Sequence, residues 1–404
     1  MEERTSILLV GIGGYGNLYV NALLDQGREH HAQIVGVVDP YPKGSRRYED
    51  IIRAGIPIYD TMEDFYRSGK ADLAVIASPI HFHCRQVCTA LSNGSHVLCE
   101  KPVSATPEEA RKMMEAQESS GLLVGIGFQW SFHKAVRDLK KDILQGALGK
   151  PVLLKTMILW PRDKKYFARG WAGKMSDGQG HMIRDSVANN ATAHYLHNMF
   201  YVLGETESTA AFPEKLEAEL YRANRIENFD TVAARITTGS GAELRFYATH
   251  AVNRSMGPVF RYEFENATAY FDSPEDGKGI YVRFKDGSTK AYGDPNDSVM
   301  DKLWTMIDAI HGKSGIPCDL HTAFPHVLAI DAIQRSVPEI PDFPDALRRY
   351  DEQKEVVWID GLFELMNDCY RQGILPSEAG AGWAVKGKQI EVSADGYPDG
   401  YRLD

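Results

Sequence analysis

The sequence predicts an α/β protein in two parts: a doubly wound parallel sheet over residues 1–127, then an α+β part with a mostly antiparallel sheet over residues 128–404. Two patterns carry this. From residue 7 to about 126, short apolar runs alternate with segments of helical periodicity, as strands and crossover helices of a parallel sheet do. From Thr231 to about Tyr292 short strand-like segments follow one another without intervening helices, as in Val232-Ala233-Ala234-Arg235-Ile236 and Leu244-Arg245-Phe246-Tyr247-Ala248. These segments read as an antiparallel sheet.

In chain order, Ile7–Val10 reads as a strand buried on both faces, and Gly11, Gly13 and Gly16 follow with G-x-G-x-x-G spacing. Leu18, Ala22 and Leu23 then repeat at helical spacing. A glycine turn between a strand and a helix is a dinucleotide seat. The first glycine permits the turn, the second lets a pyrophosphate reach the backbone, and the third lets helix and strand pack closely. The helix N-terminus adds free N–H groups and a positive dipole end for the phosphates. A second strand, Ile34–Val38, ends in Asp39, an acid placed to accept ribose hydroxyls and repel a 2′-phosphate. The first part is therefore read as a Rossmann domain with NAD as cofactor and NADP as the second candidate.

The remaining elements follow from local signals. A helix is expected near Arg46–Ala54, strands at Ile56–Tyr59, Leu73–Ala77, Val97–Cys99 and Leu122–Gly125, and helix starts at Thr61–Asp64 and Thr106–Glu109. The last combines an N-cap threonine, an N1 proline and a glutamate at N3. Beyond 127 the pattern predicts a helix over Val136–Leu144, a strand over Val152–Trp160, a loop at 161–180, a helix over Ala191–Val202, and helices near Val299–Ile310, Ala323–Arg335 and Glu352–Arg371.

Composition narrows the function. Net charge is −10 with no long basic run, which argues against nucleic acid. No apolar run approaches the length of a membrane span, and the N-terminus leads straight into the first strand without a signal-peptide pattern. The five cysteines are few and odd in number, so reduced thiols and a cytoplasmic location are expected. Cys84 and Cys88 lie four apart on an expected helix and read as core-facing, since no second Cys/His pair has matching spacing for a metal.

Ligands of a doubly wound sheet gather at the carboxyl ends of its strands. Ser78-Pro79 with His83 follows one strand end there, and Glu100-Lys101-Pro102 another. A lysine so placed can polarise a carbonyl or exchange a proton with an alcohol. With Gly11–Gly16 and Gly127-Phe128-Gln129-Trp130, these motifs stand in the order that resembles the glucose–fructose oxidoreductase/inositol dehydrogenase (Gfo/Idh/MocA) family, over residues 5–210. The resemblance implies a Rossmann domain, a C-terminal domain with an open, mostly antiparallel sheet, NAD or NADP, and hydride transfer to or from a sugar, cyclitol or related polyol. It also implies a dimer or tetramer. The cofactor set it implies is Gly11, Gly13, Gly14, Tyr15, Gly16, Asp39, Ser78, Pro79, His83, Glu100 and Lys101.

The family lysine corresponds to Lys101 and the family histidine to His194. Asn190 stands where the family has aspartate, Thr192 where it has glycine, and His197 where it has a second aspartate. Lys101, His194 and Asn190 form the expected catalytic set, with Asp185 or His197 as stand-ins for the missing carboxylate. Gln129, Arg162, Tyr166 and Trp171, with Lys101, Asn190 and His194, are the expected substrate contacts, and Lys174 in the same loop suits a hydroxyl-rich ligand. No metal is expected. Two alternatives to net oxidation are a lyase or glycoside-cleaving reaction with tightly bound NAD as transient oxidant, and a non-catalytic sugar sensor.

Overall fold

Six runs of apolar residues build the first sheet of the computed structural model, which describes residues 4–272 and 277–392. They are β1 (Thr5–Val10), β2 (Ala32–Val38), β3 (Ile58–Tyr59), β4 (Leu73–Ile76), β5 (His96–Cys99) and β6 (Val124–Ile126), all parallel, in the order β3-β2-β1-β4-β5-β6. β1 and β4 adjoin with opposite winding on either side. That switch point opens a crevice at their carboxyl ends. Helices Gly16–Gln26, Tyr48–Arg53, Met62–Tyr66, His83–Ser92 and Pro107–Ser120 make the crossovers. The two helix starts read from the sequence form as such: Thr61 Oγ1 accepts from the Asp64 N–H, and Thr106 Oγ1 from the Glu109 N–H.

The chain divides into two units. The first runs to His133 and takes back Ser298–Phe324; the second holds Lys134–Asp297 and the chain from Pro325. Helix Asp301–Ile310 lies far along the chain, yet its Leu303, Met306 and Ile307 share a core with Ile7, Leu9, Val75 and Leu98. The apolar side of this helix is what places it: chain order does not.

In the second unit, β7 (Pro151–Leu159), β8 (Pro213–Tyr221), β9 (Thr231–Thr238), β10 (Glu243–Thr249), β11 (Met256–Phe264), β12 (Ala267–Phe271), β13 (Ile280–Phe284) and β14 (Thr289–Gly293) form one sheet. β15 (Arg348–Asp351) and β16 (Val356–Ile359) pair separately, and β17 (Ile390–Glu391) joins the large sheet at β8. The large sheet runs β14-β13-β12-β11-β7-β10-β9-β8-β17, antiparallel except between β7 and β10. Met157, Tyr221, Tyr247, Phe343 and Met366 centre a core on it.

Two local readings are corrected. Residues 352–361 are not helical: Val356-Val357-Trp358-Ile359 is β-branched and aromatic and pairs with β15. The helix starts only at Leu362, after Gly361 turns the chain at φ +74. β8 was not anticipated, because Leu216-Glu217-Ala218-Glu219-Leu220 carries carboxylates that disguise a strand buried on both faces.

Candidate functional site

The glycine turn ends β1. Gly11 has φ +80, and a side chain there would stand 3.0 Å from the Ala77 and Ser78 backbone at the end of β4. A side chain at Gly16 would collide with the Gly11 carbonyl. No heavy atom lies within 4 Å of where a Cβ of Gly13 or Gly14 would stand, so the turn has an open side on which a phosphate can approach the backbone. These four glycines therefore divide into two that let the protein pack and two that leave room for a ligand.

Asp39 sits at the end of β2 with both carboxylate oxygens engaged. Oδ2 accepts from the Ile12 N–H at 2.9 Å and Oδ1 from the Tyr41 N–H at 2.8 Å. The acid is thus aimed beside the turn. Arg47 is drawn away, paired with Asp25 and Asp50, while Arg46 is exposed.

His83 is buried and spans the two other strand ends: Nδ1 lies 2.8 Å from the Pro102 carbonyl and Nε2 2.9 Å from the Ser78 carbonyl. Burial holds its pKa below the usual histidine value. Its place in the expected cofactor set is accordingly that of a tie between the Ser78-Pro79 and Lys101-Pro102 loops. Ser78 Oγ donates to Gln86 Oε1.

Lys101 is half-buried after β5, and its N–H donates to Glu100 Oε2 at 3.2 Å. Glu100 faces the other way, into the interior. Its Oε1 accepts from Tyr19 Oη at 2.6 Å and pairs with the ammonium of Lys302, which also lies 3.0 Å from Tyr15 Oη. Tyr15 Oη in turn donates to Gln129 Oε1 at 3.0 Å. Burial, reinforced by the Glu100 charge, holds the Tyr15 and Tyr19 phenols well above their ordinary pKa. Burial pulls the Lys302 ammonium down, and Glu100 opposes that. The structure thus brings Tyr15, Glu100, Lys101 and Gln129 together through a residue the sequence reading missed. The signal for Lys302 was present: it precedes Met306 and Ala309 at i+4 and i+7, on the buried stripe of its helix.

In the second unit, Ser186 caps a π-helical turn, Val187–Ala191, that leads into helix Ala193–Tyr201. Such turns redirect side chains. Asn190 Nδ2 donates to Asp185 Oδ1 at 2.8 Å, and Asp185 Oδ2 accepts from the Gly173 N–H at 2.6 Å. A carboxylate therefore does lie beside position 190. His194 is half-buried with its ring edge-on to Tyr195. His197 points elsewhere: it is buried and stacks on Tyr201, and burial holds its pKa well below the usual value.

The loop residues converge on one another. The Arg162 guanidinium lies over the Trp160 ring at 5.4 Å and the Tyr166 ring at 5.0 Å, and Arg169 over Tyr166 at 3.8 Å and Trp171 at 4.4 Å. Asp163 starts the turn that holds Tyr166 by accepting from its N–H at 2.8 Å. Burial and the Asp185 charge hold the Tyr166 phenol up. His250, also unforeseen, packs edge-on to Tyr166, with Nδ1 2.8 Å from the Trp160 carbonyl. Burial and then the Arg162 charge push its pKa down to about 3. Lys174 is exposed. Among the described residues, no three His, Cys, Asp or Glu side chains gather to hold a metal, the five cysteines form no disulfide, and no helix is long and apolar enough to cross a membrane.

Comparison with known proteins agrees with this architecture. Residues 5–128 match the model of the Gfo/Idh/MocA family, described as an oxidoreductase family with an NAD-binding Rossmann fold. Inositol 2-dehydrogenase of Rubrobacter xylanophilus is 30% identical over 206 residues, 50% of this chain and 54% of the relative. The rhizopine catabolism protein MocA of Rhizobium meliloti is 33% identical over 151 residues, 37% of this chain and 46% of the relative. The chain spans about half the length of the curated relatives it matches. Among solved structures, the WlbA dehydrogenase of Bordetella pertussis, in complex with NADH and UDP-GlcNAcA, superposes with a TM-score of 0.68 at 20% identity, covering 83% of this chain and 97% of that one. Its likeness is one of fold. Residues 5–128 thus carry the NAD-binding Rossmann domain described for the Gfo/Idh/MocA oxidoreductase family.

Proposed function

We propose that this protein is a nicotinamide-dependent dehydrogenase that moves hydride between a sugar, cyclitol or related polyol and NAD. One observation carries the reading: a half-buried lysine, Lys101, follows β5 in the same unit as a glycine turn whose Gly13 and Gly14 are open to a ligand. The residues present fit a dinucleotide: backbone amides for the pyrophosphate and the Asp39 carboxylate for ribose hydroxyls. A nicotinamide bound there supplies the hydride acceptor. The names of the relatives, inositol 2-dehydrogenase among them, support a polyol substrate.

In this reading Lys101 holds the substrate hydroxyl and takes its proton. Glu100 is a positioning residue, turned inward onto Lys302 and Tyr19. In the second unit, His194 serves as acid/base, and Asn190, held by Asp185, orients without taking a proton. The protein works as a cytoplasmic homo-oligomer, a state that light scattering reads directly.

The test is a panel of sugars and inositols with NAD, followed by NADH absorbance. Turnover that falls on the order of 100-fold in Lys101→Met, with NAD affinity unchanged, is the expected result. Product without net NADH would point instead to transient oxidation, and binding without product to a sensor. Near-parental turnover in Lys101→Met would overturn the assignment of the lysine.

A further inference from the structure

Arginines in the second unit are, as a rule, paired. Arg184 meets Asp331 at 2.8 Å, Arg222 meets Asp342 at 2.7 Å, Arg235 meets Glu378 at 2.7 Å and Arg245 meets Glu243 at 2.8 Å. Arg162 is different. Half-buried, with its Nε–H buried and without an acceptor, it has no carboxylate in ion-pairing range among the described residues. This occurs in a chain with 55 acidic and 45 basic residues, where carboxylates are not scarce. Two acids close by are committed elsewhere: Asp163 accepts from the Tyr166 N–H, and Asp185 holds Gly173 and Asn190.

Among the described residues, the surroundings hold this cation by aromatic rings and supply no counter-charge. The Trp160 and Tyr166 rings lie 5.4 and 5.0 Å from the guanidinium and hold it by cation–π attraction. The Trp160 indole N–H is already given to the Gly257 carbonyl at 2.9 Å. Arg169, which lies over the Tyr166 and Trp171 rings, adds a second positive charge to the same loop. The effect on neighbours registers this field: after burial, Arg162 and Arg169 both help keep His250 neutral. His250 directs Nδ1 at the Trp160 carbonyl, which leaves Nε2 as a buried acceptor without a protein partner. A planar five-donor cation beside a bare imidazole acceptor matches one kind of ligand: an anionic group with a hydroxyl near it.

We infer that Arg162 is the anchor for an anionic group on the substrate, a carboxylate or a phosphate borne by the sugar, with His250 Nε2 accepting from an adjacent hydroxyl. This rests on the sugar dehydrogenase reading above and narrows it from neutral polyols to acidic sugars. The guanidinium is itself a planar fork of donors, so two parallel N–H···O bonds to an anion can form at once.

Glucuronate, glucose 6-phosphate and glucose, each titrated calorimetrically into the full-length protein with NAD, separate the possibilities. At least one anion should bind roughly ten- to a hundredfold more tightly than glucose, the range of a charge-assisted bidentate contact. Preference for glucuronate identifies a carboxylate site, preference for glucose 6-phosphate a phosphate site. Arg162→Gln should erase the preference, and Arg162→Lys should keep part of it, since charge remains without the planar fork. Equal binding of all three, no binding of any, or a preference that survives Arg162→Gln overturns the inference. NADH read in the same samples keeps the two claims apart. NADH from glucose or inositol without an anion preference sinks only the anchor, and anion preference without NADH from any substrate sinks only the dehydrogenase.

Discussion

The ammonium of Lys302 and the carboxylate of Glu100 form an ion pair sealed from solvent, with side-chain exposures of 0% and 7%. Some 200 residues of chain separate them, yet the pair stands directly behind Lys101, whose backbone N–H also reaches Glu100. Removing one member leaves a buried charge without its counterion. Lys302→Met should therefore lower stability by about 3–5 kcal/mol. Lys302→Met with Glu100→Gln, which removes both charges, should regain a large part. Denaturant unfolding of the two variants checks this. Additive losses in the double variant would mean that the pair is not coupled.

Asn190 lies 2.8 Å from Asp185, so a carboxylate at position 190 would meet a second carboxylate. Asn190→Asp should destabilise the protein at neutral pH through like-charge repulsion and lift the pKa of one acid of the pair. The penalty is present while both are ionised and fades as pH falls through the raised pKa. Melting temperatures of parent and variant should differ by several degrees at pH 7 and converge near pH 5. A constant difference across that range would place the effect in packing.

His250 is buried neutral, with its pKa pushed down to about 3 against an ordinary 6.5. On unfolding it regains the ordinary value, so the unfolded chain binds the extra proton. Stability is full above pH 6.5 and falls as pH drops toward 3. The linkage is on the order of a few kcal/mol. His250→Asn retains a donor for the Trp160 carbonyl and cannot be protonated, so its stability should decline less steeply over this window. Unfolding free energies from pH 7 to pH 4 measure the two slopes, and parallel slopes would refute the assignment.

Asp39 Oδ2 accepts from the Ile12 N–H within the glycine turn, which fixes the carboxylate beside the turn; in the NAD reading proposed above it accepts ribose hydroxyls and repels a 2′-phosphate. NAD should bind more tightly than NADP, and Asp39→Ser should narrow the gap. Arg47, locked by Asp25 and Asp50, leaves exposed Arg46 as the nearby cation for a 2′-phosphate, and Arg46→Ala in the Asp39→Ser background should reopen part of the gap. Fluorescence titration of both cofactors decides the order of affinity; tighter NADP binding by the parent would contradict it.

The local readings succeeded where one short stretch contains its own cause. The parallel sheet, the glycine turn and the caps at Thr61 and Thr106 depend on residues within a few positions of each other, and the sequence determined them. It failed at β16, where charged residues at Glu352 and Glu355 gave a helical look to a segment whose β-branched core seeks a partner strand. It also passed over β8, whose carboxylates are accommodated only once the sheet and its neighbours exist.

The tertiary structure alone decided which distant side chains meet. Lys302 against Glu100, Asp185 against Asn190 and His250 against Tyr166 are each set by elements packing, and nothing in the spacing of either partner names the other. Glu100-Lys101-Pro102 shows both contributions. The sequence determined that a lysine follows β5, because an apolar strand ends there. Only packing decided that Glu100 turns inward while Lys101 stays half-exposed, because burying a carboxylate requires a counterion and donors that Lys302 and Tyr19 bring from two other helices.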